Sequence, residues 1–176
     1  IADGSGGLAS NYTLSGATIN VTIIPRTLNV SLSREYDGTT SVSGASLTPT
    51  FDSLQGGETL ALSGTGSIST ANVGSSKAVT LGTIALTAGS GNPSNYTLNS
   101  ATMNITQRVI NLDGIRAYDA TTNVLSSDIN TFGNIVSGET LTITGTGSVG
   151  TNSVAMNKAI TIGSLSLGNG SGLASN

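Results

Sequence analysis

An eight-residue stretch and its echo constrain this chain more than any other feature. Ser33-Arg34-Glu35-Tyr36-Asp37-Gly38-Thr39-Thr40 returns as Ile115-Arg116-Ala117-Tyr118-Asp119-Ala120-Thr121-Thr122, and further landmarks follow each copy in the same order. Gly57-Glu58-Thr59-Leu60 is answered by Gly138-Glu139-Thr140-Leu141, Gly64-Thr65-Gly66-Ser67 by Gly145-Thr146-Gly147-Ser148, and Lys77-Ala78-Val79-Thr80 by Lys158-Ala159-Ile160-Thr161. These three pairs are offset by 81 residues and the Tyr-Asp pair by 82. A tandem duplication restricts the fold to one small unit used twice, with neighbouring copies in contact.

The repeat divides the chain. Residues 1–26 read as the C-terminal strands of a preceding repeat, residues 27–107 as one complete repeat, and residues 108–176 as a second that lacks its last strands. Ser10-Asn11-Tyr12-Thr13-Leu14 matches Ser94-Asn95-Tyr96-Thr97-Leu98, and Ala17 to Thr22 match Ala101 to Thr106. Ala17, Ile19, Val21 and Ile23 alternate with polar residues, which predicts a half-buried strand. Ile1-Ala2-Asp3-Gly4 carries no charged n-region and no apolar h-region, so the chain reads as an interior piece of something longer. The junctions, Ile24-Pro25-Arg26-Thr27 and Gln107-Arg108-Val109, are too short to act as flexible linkers. In an isolated fragment, the expectation is that residues 12–24 of one molecule can complete residues 108–176 of the next by strand addition.

Within residues 27–107, alternating segments fall at about 28–32, 41–48, 58–63, 77–81, 84–88 and 96–105, separated by Gly, Asn, Asp and Ser clusters. Short strands at regular spacing, with no sustained apolar stripe at helical period, predict an all-β fold. The expected architecture is small antiparallel β-sandwich (Ig-like) repeats arranged end to end.

Composition narrows the chemistry. Charged residues make up 9% and the net charge is −3, which leaves no basic footprint for nucleic acid or anionic lipid, and no apolar run approaches the ~20 residues of a membrane span, so no membrane insertion is expected. There is no Cys and no His, so no triad of the usual kind assembles and the commonest neutral metal ligand is absent. No catalytic, cofactor-binding or metal-ligating set is assigned, and the chain reads as no enzyme, with no cofactor.

Several residues invite a sharper reading. Lys77 and Lys158 are the only lysines and share one register; an isopeptide bond to Asn assisted by Glu58 or Asp37 stands against the simpler role of a strand-start lysine whose stem covers apolar surface. Glu35 with Asp37, and Asp113 with Asp119, raise calcium, but the ligand demand is high and turn chemistry after an inward Tyr suffices. Thr140, Thr142, Thr144 and Thr146 resemble an ice-binding ladder, yet the first copy places Ala61 and Ser63 in that row, and Thr is simply favoured on β faces. Sequons at Asn11, Asn20, Asn29, Asn95, Asn104 and Asn169 are no more than the abundance of Asn, Ser and Thr produces.

The ordered set Tyr36-Asp37-Gly38-Thr39-Thr40, Gly57-Glu58-Thr59, Gly64-Thr65-Gly66, Asn72-Val73-Gly74, Lys77-Ala78-Val79-Thr80 and Asn95-Tyr96-Thr97-Leu98 resembles the YDG repeat of large secreted bacterial adhesins of the filamentous-haemagglutinin type. The second copy departs from it where Gly38 becomes Ala120 and where Asn152-Ser153-Val154 replaces Asn72-Val73-Gly74; a positive φ at Gly38 would strain Ala120. The resemblance implies a structural stalk exported by two-partner secretion to the bacterial cell surface, projecting an adhesive region for attachment and biofilm formation. Its partners are then neighbouring repeats, with surface polysaccharide or host glycan as the adhesive target. The alternative is an extracellular polysaccharide-binding module, which an exposed row of aromatics would favour. Tyr12, Tyr36, Tyr96 and Tyr118 all lie in repeated motifs, where packing is the simpler role.

Overall fold

The computed structural model describes residues 2–176, so Ile1 of the opening stretch lies outside the described residues. Among these the chain is all-β: no helix reaches seven residues, and the only helical pieces are four three-residue 3-10 turns. Residues 26–106 hold eight strands: β1 (Arg26–Glu35), β2 (Ser41–Ser43), β3 (Thr50–Phe51), β4 (Leu60–Ser63), β5 (Thr65–Ile68), β6 (Gly74–Thr80), β7 (Ala85–Ala88) and β8 (Tyr96–Thr106). Six form one sheet in the order β2-β5-β6-β8-β1-β3, and β4 pairs with β7 apart from it.

Period-two alternation explains the core. Leu28, Val30 and Leu32 of β1 point inward and are all but fully buried, while Asn29, Ser31 and Ser33 point out. Ala101, Met103 and Ile105 of β8 join them, with Val42, Ile68, Val79 and Leu62. Leu62 of β4 belongs to this core and Leu86 of β7 packs against it, so the separate β4–β7 pair contributes to the same core. A satellite cluster of Leu28, Leu60 and Tyr96, packed with Phe51, Leu54 and Leu86, fills one end.

The centre of the sheet corrects the expectation of purely antiparallel pairing. β1 and β8 run parallel from Arg26 opposite Tyr96 to Glu35 opposite Thr106, with one register shift between Leu28 and Asn29. β6 runs antiparallel to β8 on its other side. Alternation specifies which face a residue takes, and it carries no information about the neighbour's direction. The parallel pair has a consequence for the path of the chain: the first and last strands start at the same end of the sheet, so the chain enters this copy at one pole and leaves at the other.

The second copy repeats each pairing that its residues allow. Its strands are β9 (Asn111–Gly114), β10 (Asn123–Leu125), β11 (Ile129–Gly133), β12 (Leu141–Thr144), β13 (Thr146–Val149), β14 (Ile160–Thr161) and β15 (Ser166–Asn169). The ladders β10–β13–β14, β9–β11 and β12–β15 match β2–β5–β6, β1–β3 and β4–β7 in register. Among the described residues no strand pairs with both β14 and β9 as β8 does with β6 and β1. Without that strand β14 keeps two residues where β6 has seven, and β9 keeps four where β1 has ten.

Two further expectations are corrected. Residues 17–23, expected as a half-buried strand, have no ladder partner, and Ile19, Val21 and Ile23 are 76%, 84% and 89% exposed. Tyr12 and Tyr118, expected to pack, are 70% and 65% exposed, whereas Tyr36 and Tyr96 are buried. Tyr36 and Tyr96 belong to the two core clusters, and Tyr12 and Tyr118 do not.

Candidate functional site at the junction of the two copies

Four residues, Gln107 to Ile110, separate β8 from β9. Such a short connection leaves the two copies touching, and motif residues from both sides meet there. Arg108 is the clasp. Its Nε donates to the Asn134 carbonyl at 2.7 Å, one terminal nitrogen to Asn134 Oδ1 at 2.8 Å, and the other to the Tyr36 carbonyl at 3.1 Å. The Glu35 carboxylate lies 3.7 Å from the same guanidinium. Asn134 holds a left-handed backbone at φ 62° and returns a bond from its Nδ2 to the Val109 carbonyl at 2.7 Å. A planar fork satisfied on three edges fixes an orientation that a lysine would not.

The Tyr-Asp-Gly turn of the first copy supplies the second contact. Asp37 Oδ1 accepts from the Thr39 amide at 2.9 Å and Arg34 pairs with Asp37 at 3.1 Å, which sets the turn. Tyr36 then reaches across and donates its hydroxyl to Glu139 Oε1 of the second copy. That carboxylate, and after it burial, holds the Tyr36 phenol above its ordinary 10.0, against a lowering hydrogen bond with Asn176. Gly38, at φ +75°, lies so close to the second copy that a Cβ would stand 2.9 Å from Val136 Cγ1. Val136 itself packs on the core of the first copy.

The end of the second copy closes the junction. The Arg108 amide donates to the Asn176 carbonyl at 2.7 Å, and Asn176 Oδ1 accepts from the Val73 amide at 3.1 Å. Val73 belongs to the Asn72-Val73-Gly74 motif of the first copy, so three of the motifs singled out in the sequence converge on one interface. Reading the turn as purely local chemistry missed this. Part of the signal was available: Tyr36 and Glu58 recur as Tyr118 and Glu139, although Gly38 is replaced by Ala120.

The remaining candidates resolve individually. Lys77 Nζ donates to Thr70 Oγ1 at 2.8 Å, and Lys158 Nζ to Thr151 Oγ1 at 3.0 Å, both half-buried lysines tied to the loop before their strand. The Glu58 carboxylate takes the Tyr96 hydroxyl, which raises that phenol too. Asp119 repeats the Asp37 turn, its Oδ1 accepting from the Thr121 amide at 2.9 Å; this bond, with Arg116, holds its carboxyl below 3.8 against desolvation. Ala120 keeps the left-handed conformation at φ 64° where the first copy has Gly38, so the turn is retained and the alanine bears the strain. Among the described residues no group of three or more His, Cys, Asp or Glu gathers. Thr142 and Thr144 lie on β12, and Thr146 lies beyond Gly145 (φ 90°) on β13, so the threonines do not form one row.

Two cavities open onto the second copy. One of about 440 Å³ is lined by Leu112, Val124, Ile129, Val149 and Ile160 among others, and the second, of about 230 Å³, by Tyr36, Ile110, Ile135, Glu139, Leu141 and Leu167 among others. Comparison with family models finds a YDG domain at residues 20–103. Curated proteins and solved structures contain no match to the chain. The matched span runs from the exposed segment before β1 to Met103 in the middle of β8.

Proposed function

We propose that this chain is part of the stalk of a bacterial cell-surface adhesin, in which tandem sandwich-like β repeats stand end to end and carry an adhesive region away from the cell. The observation that carries the reading is the parallel β1–β8 pair combined with the junction. Entry and exit lie at opposite poles of a copy, and the next copy is held there by Arg108, Tyr36 and Asn134 rather than by a free linker. Repeats joined in this manner add length in one direction. The resemblance of the motif set to secreted exoprotein repeats supports the extracellular setting, and a surface rich in Ser, Thr, Asn and Gly with 9% charge suits a passive spacer. The chain contributes reach and stiffness; its chemistry is hydrogen bonding and packing.

Small-angle scattering on the dilute, monomeric chain tests the shape. Ten residues of β1 advance about 33 Å at about 3.3 Å per residue, so two copies in line give a longest dimension of at least about 65 Å. A compact chain of this length has a radius of gyration of about 16 Å. A particle with that compact value would refute the stalk.

A further inference from the structure

We propose that the junction carries a size code: the residue after Tyr-Asp in one repeat decides which residue the following repeat can present at the position of Val136. The code rests on the contact between the two copies, and it stands whether or not the chain serves as an adhesin stalk.

That contact has two halves, and one tight turn of the second copy presents both. The turn is Val136-Ser137-Gly138-Glu139, closed by the Glu139 amide on the Val136 carbonyl at 3.0 Å, with Gly138 at φ 85°. Glu139 at its end takes the Tyr36 hydroxyl. Val136 at its start lies against Gly38 and packs on the core cluster that contains Tyr36. The first copy builds the same turn from Gln55-Gly56-Gly57-Glu58, where the Glu58 amide reaches the Gln55 carbonyl at 2.9 Å.

The copies agree in one half and differ in the other. Tyr36 and Glu139 have their equals in Tyr118 and Glu58, so the hydroxyl–carboxylate bond suits either order of copies. Gly38, in contrast, becomes Ala120, and Val136 answers to Gln55. A constant polar bond holds the copies, and a variable steric contact beside it discriminates between them.

The discrimination follows from the turn's geometry. A Cβ at position 38 would stand 2.9 Å from Val136 Cγ1, nearer than carbon atoms approach. The turn cannot swing that Cβ aside, because Asp37 Oδ1 holds the Thr39 amide at 2.9 Å and Arg34 holds Asp37 at 3.1 Å. The second copy keeps the same frame around its alanine. Ala120 has φ 64° where Gly38 has 75°, Asp119 Oδ1 holds the Thr121 amide at 2.9 Å, and Arg116 pairs with Asp119. The Ala120 methyl therefore fills the volume that Gly38 leaves to Val136. Valine carries two γ carbons and is stiff at χ1, so it yields little. Glutamine carries one γ carbon and turns away. A glycine turn thus accepts a follower with valine, whereas an alanine turn rejects valine and accepts an unbranched residue such as Gln55. The rejected pairing is the repulsive element on which specificity depends.

The chain supplies both versions for the test. Spin labels on Ala61→Cys and Thr142→Cys, exposed positions on β4 and β12, report the relation of the copies as a distance distribution, and no native cysteine interferes. Gly38→Ala sets the second copy's turn against Val136, and the single narrow distance should be lost. Gly38→Ala with Val136→Gln installs the matched pair, and the narrow distance should return. Val136→Gln alone should keep it, since Tyr36, Glu139 and Arg108 still bind and glycine leaves room. Thermal melts accompany every variant. The second copy holds alanine in this turn, so Gly38→Ala should fold; if it does not, recovered folding in the double variant supports the code. An unchanged narrow distance in Gly38→Ala overturns the proposal, and so does loss of the narrow distance in Val136→Gln alone. A double variant as disturbed as Gly38→Ala overturns it too, because backbone strain at position 38 would then be the cause instead of Val136.

Discussion

Replacing Tyr36 by Phe removes one hydroxyl and leaves a ring that still fills the first core. The lost bond runs from a phenol to a carboxylate, and hydrogen bonds to charged groups contribute about 1.5–3 kcal/mol. Glu139 is half-buried, so water recovers part of its solvation once Tyr36 no longer donates to it. That places the cost at about 1–2 kcal/mol, the lower part of the range. The structure also says where the cost falls. The second copy has short ladders and two open cavities, so it is the less stable partner and leans on the junction. Urea unfolding followed by circular dichroism and residue-resolved amide signals should show the transition of residues 111–169 moving to lower urea, with that of residues 26–106 little changed. A double-mutant cycle with Glu139→Ala isolates the pair. Coupling of about 1–2 kcal/mol is expected, well above the 0.3–0.5 kcal/mol within which independent sites add. Additivity within that margin would show that the hydroxyl and the carboxylate do not support each other, and the reasoning would fail.

The two turns and the titrating groups supply further expectations. Ala120→Gly should stabilise the second copy by about 1 kcal/mol, since Ala120 sits at φ 64° where alanine is disfavoured, whereas Gly38→Ala should cost more than that because its Cβ also meets Val136; thermal melts of both variants decide. With no His and no Cys, stability should be flat between about pH 5 and pH 9. Above that plateau it should fall. The Tyr36 and Tyr96 phenols are raised by Glu139 and Glu58, so the unfolded chain loses those protons first, and the stability present below about pH 10 is lost as pH rises through the folded values. On the acid side Asp52, lowered by bonds from the Asn29 amide at 3.0 Å and its side chain at 2.7 Å, and Asp119, lowered by Thr121, contribute stability above about pH 4 that is lost as pH falls through their folded values. A melting temperature that varies steeply across the neutral range would contradict this.

Much of the local structure was legible. Alternation at 28–32, 77–81 and 96–105 reports burial directly, because Leu28, Val79 and Met103 face inward and their neighbours do not. Asp37 and Asp119 announce their turns because a short acid bonds its own backbone. β3 and β5 were harder: Thr50–Phe51 is too short to alternate, and Gly66 interrupts Thr65–Ile68. The direction of β8 beside β1 was not legible, since a face pattern is the same for either direction. The fate of residues 12–24 was not legible either. Ile19 and Val21 are patterned for burial, but burial needs a partner sheet, and among the described residues none pairs with them. The junction escaped for a related reason: Tyr36 reads as a core tyrosine, and its hydroxyl is the part that leaves its own copy.

The central claim is that the junction holds the two copies in one fixed relation. Spin labels on Ala61→Cys and Thr142→Cys, exposed and equivalent positions on β4 and β12, measure it through the distance distribution between them. The account predicts a single narrow distance that broadens when Tyr36→Phe and Arg108→Ala are introduced together. A broad distribution in the otherwise unaltered chain would mean that the copies swing about residues 107–110, and it would contradict the account.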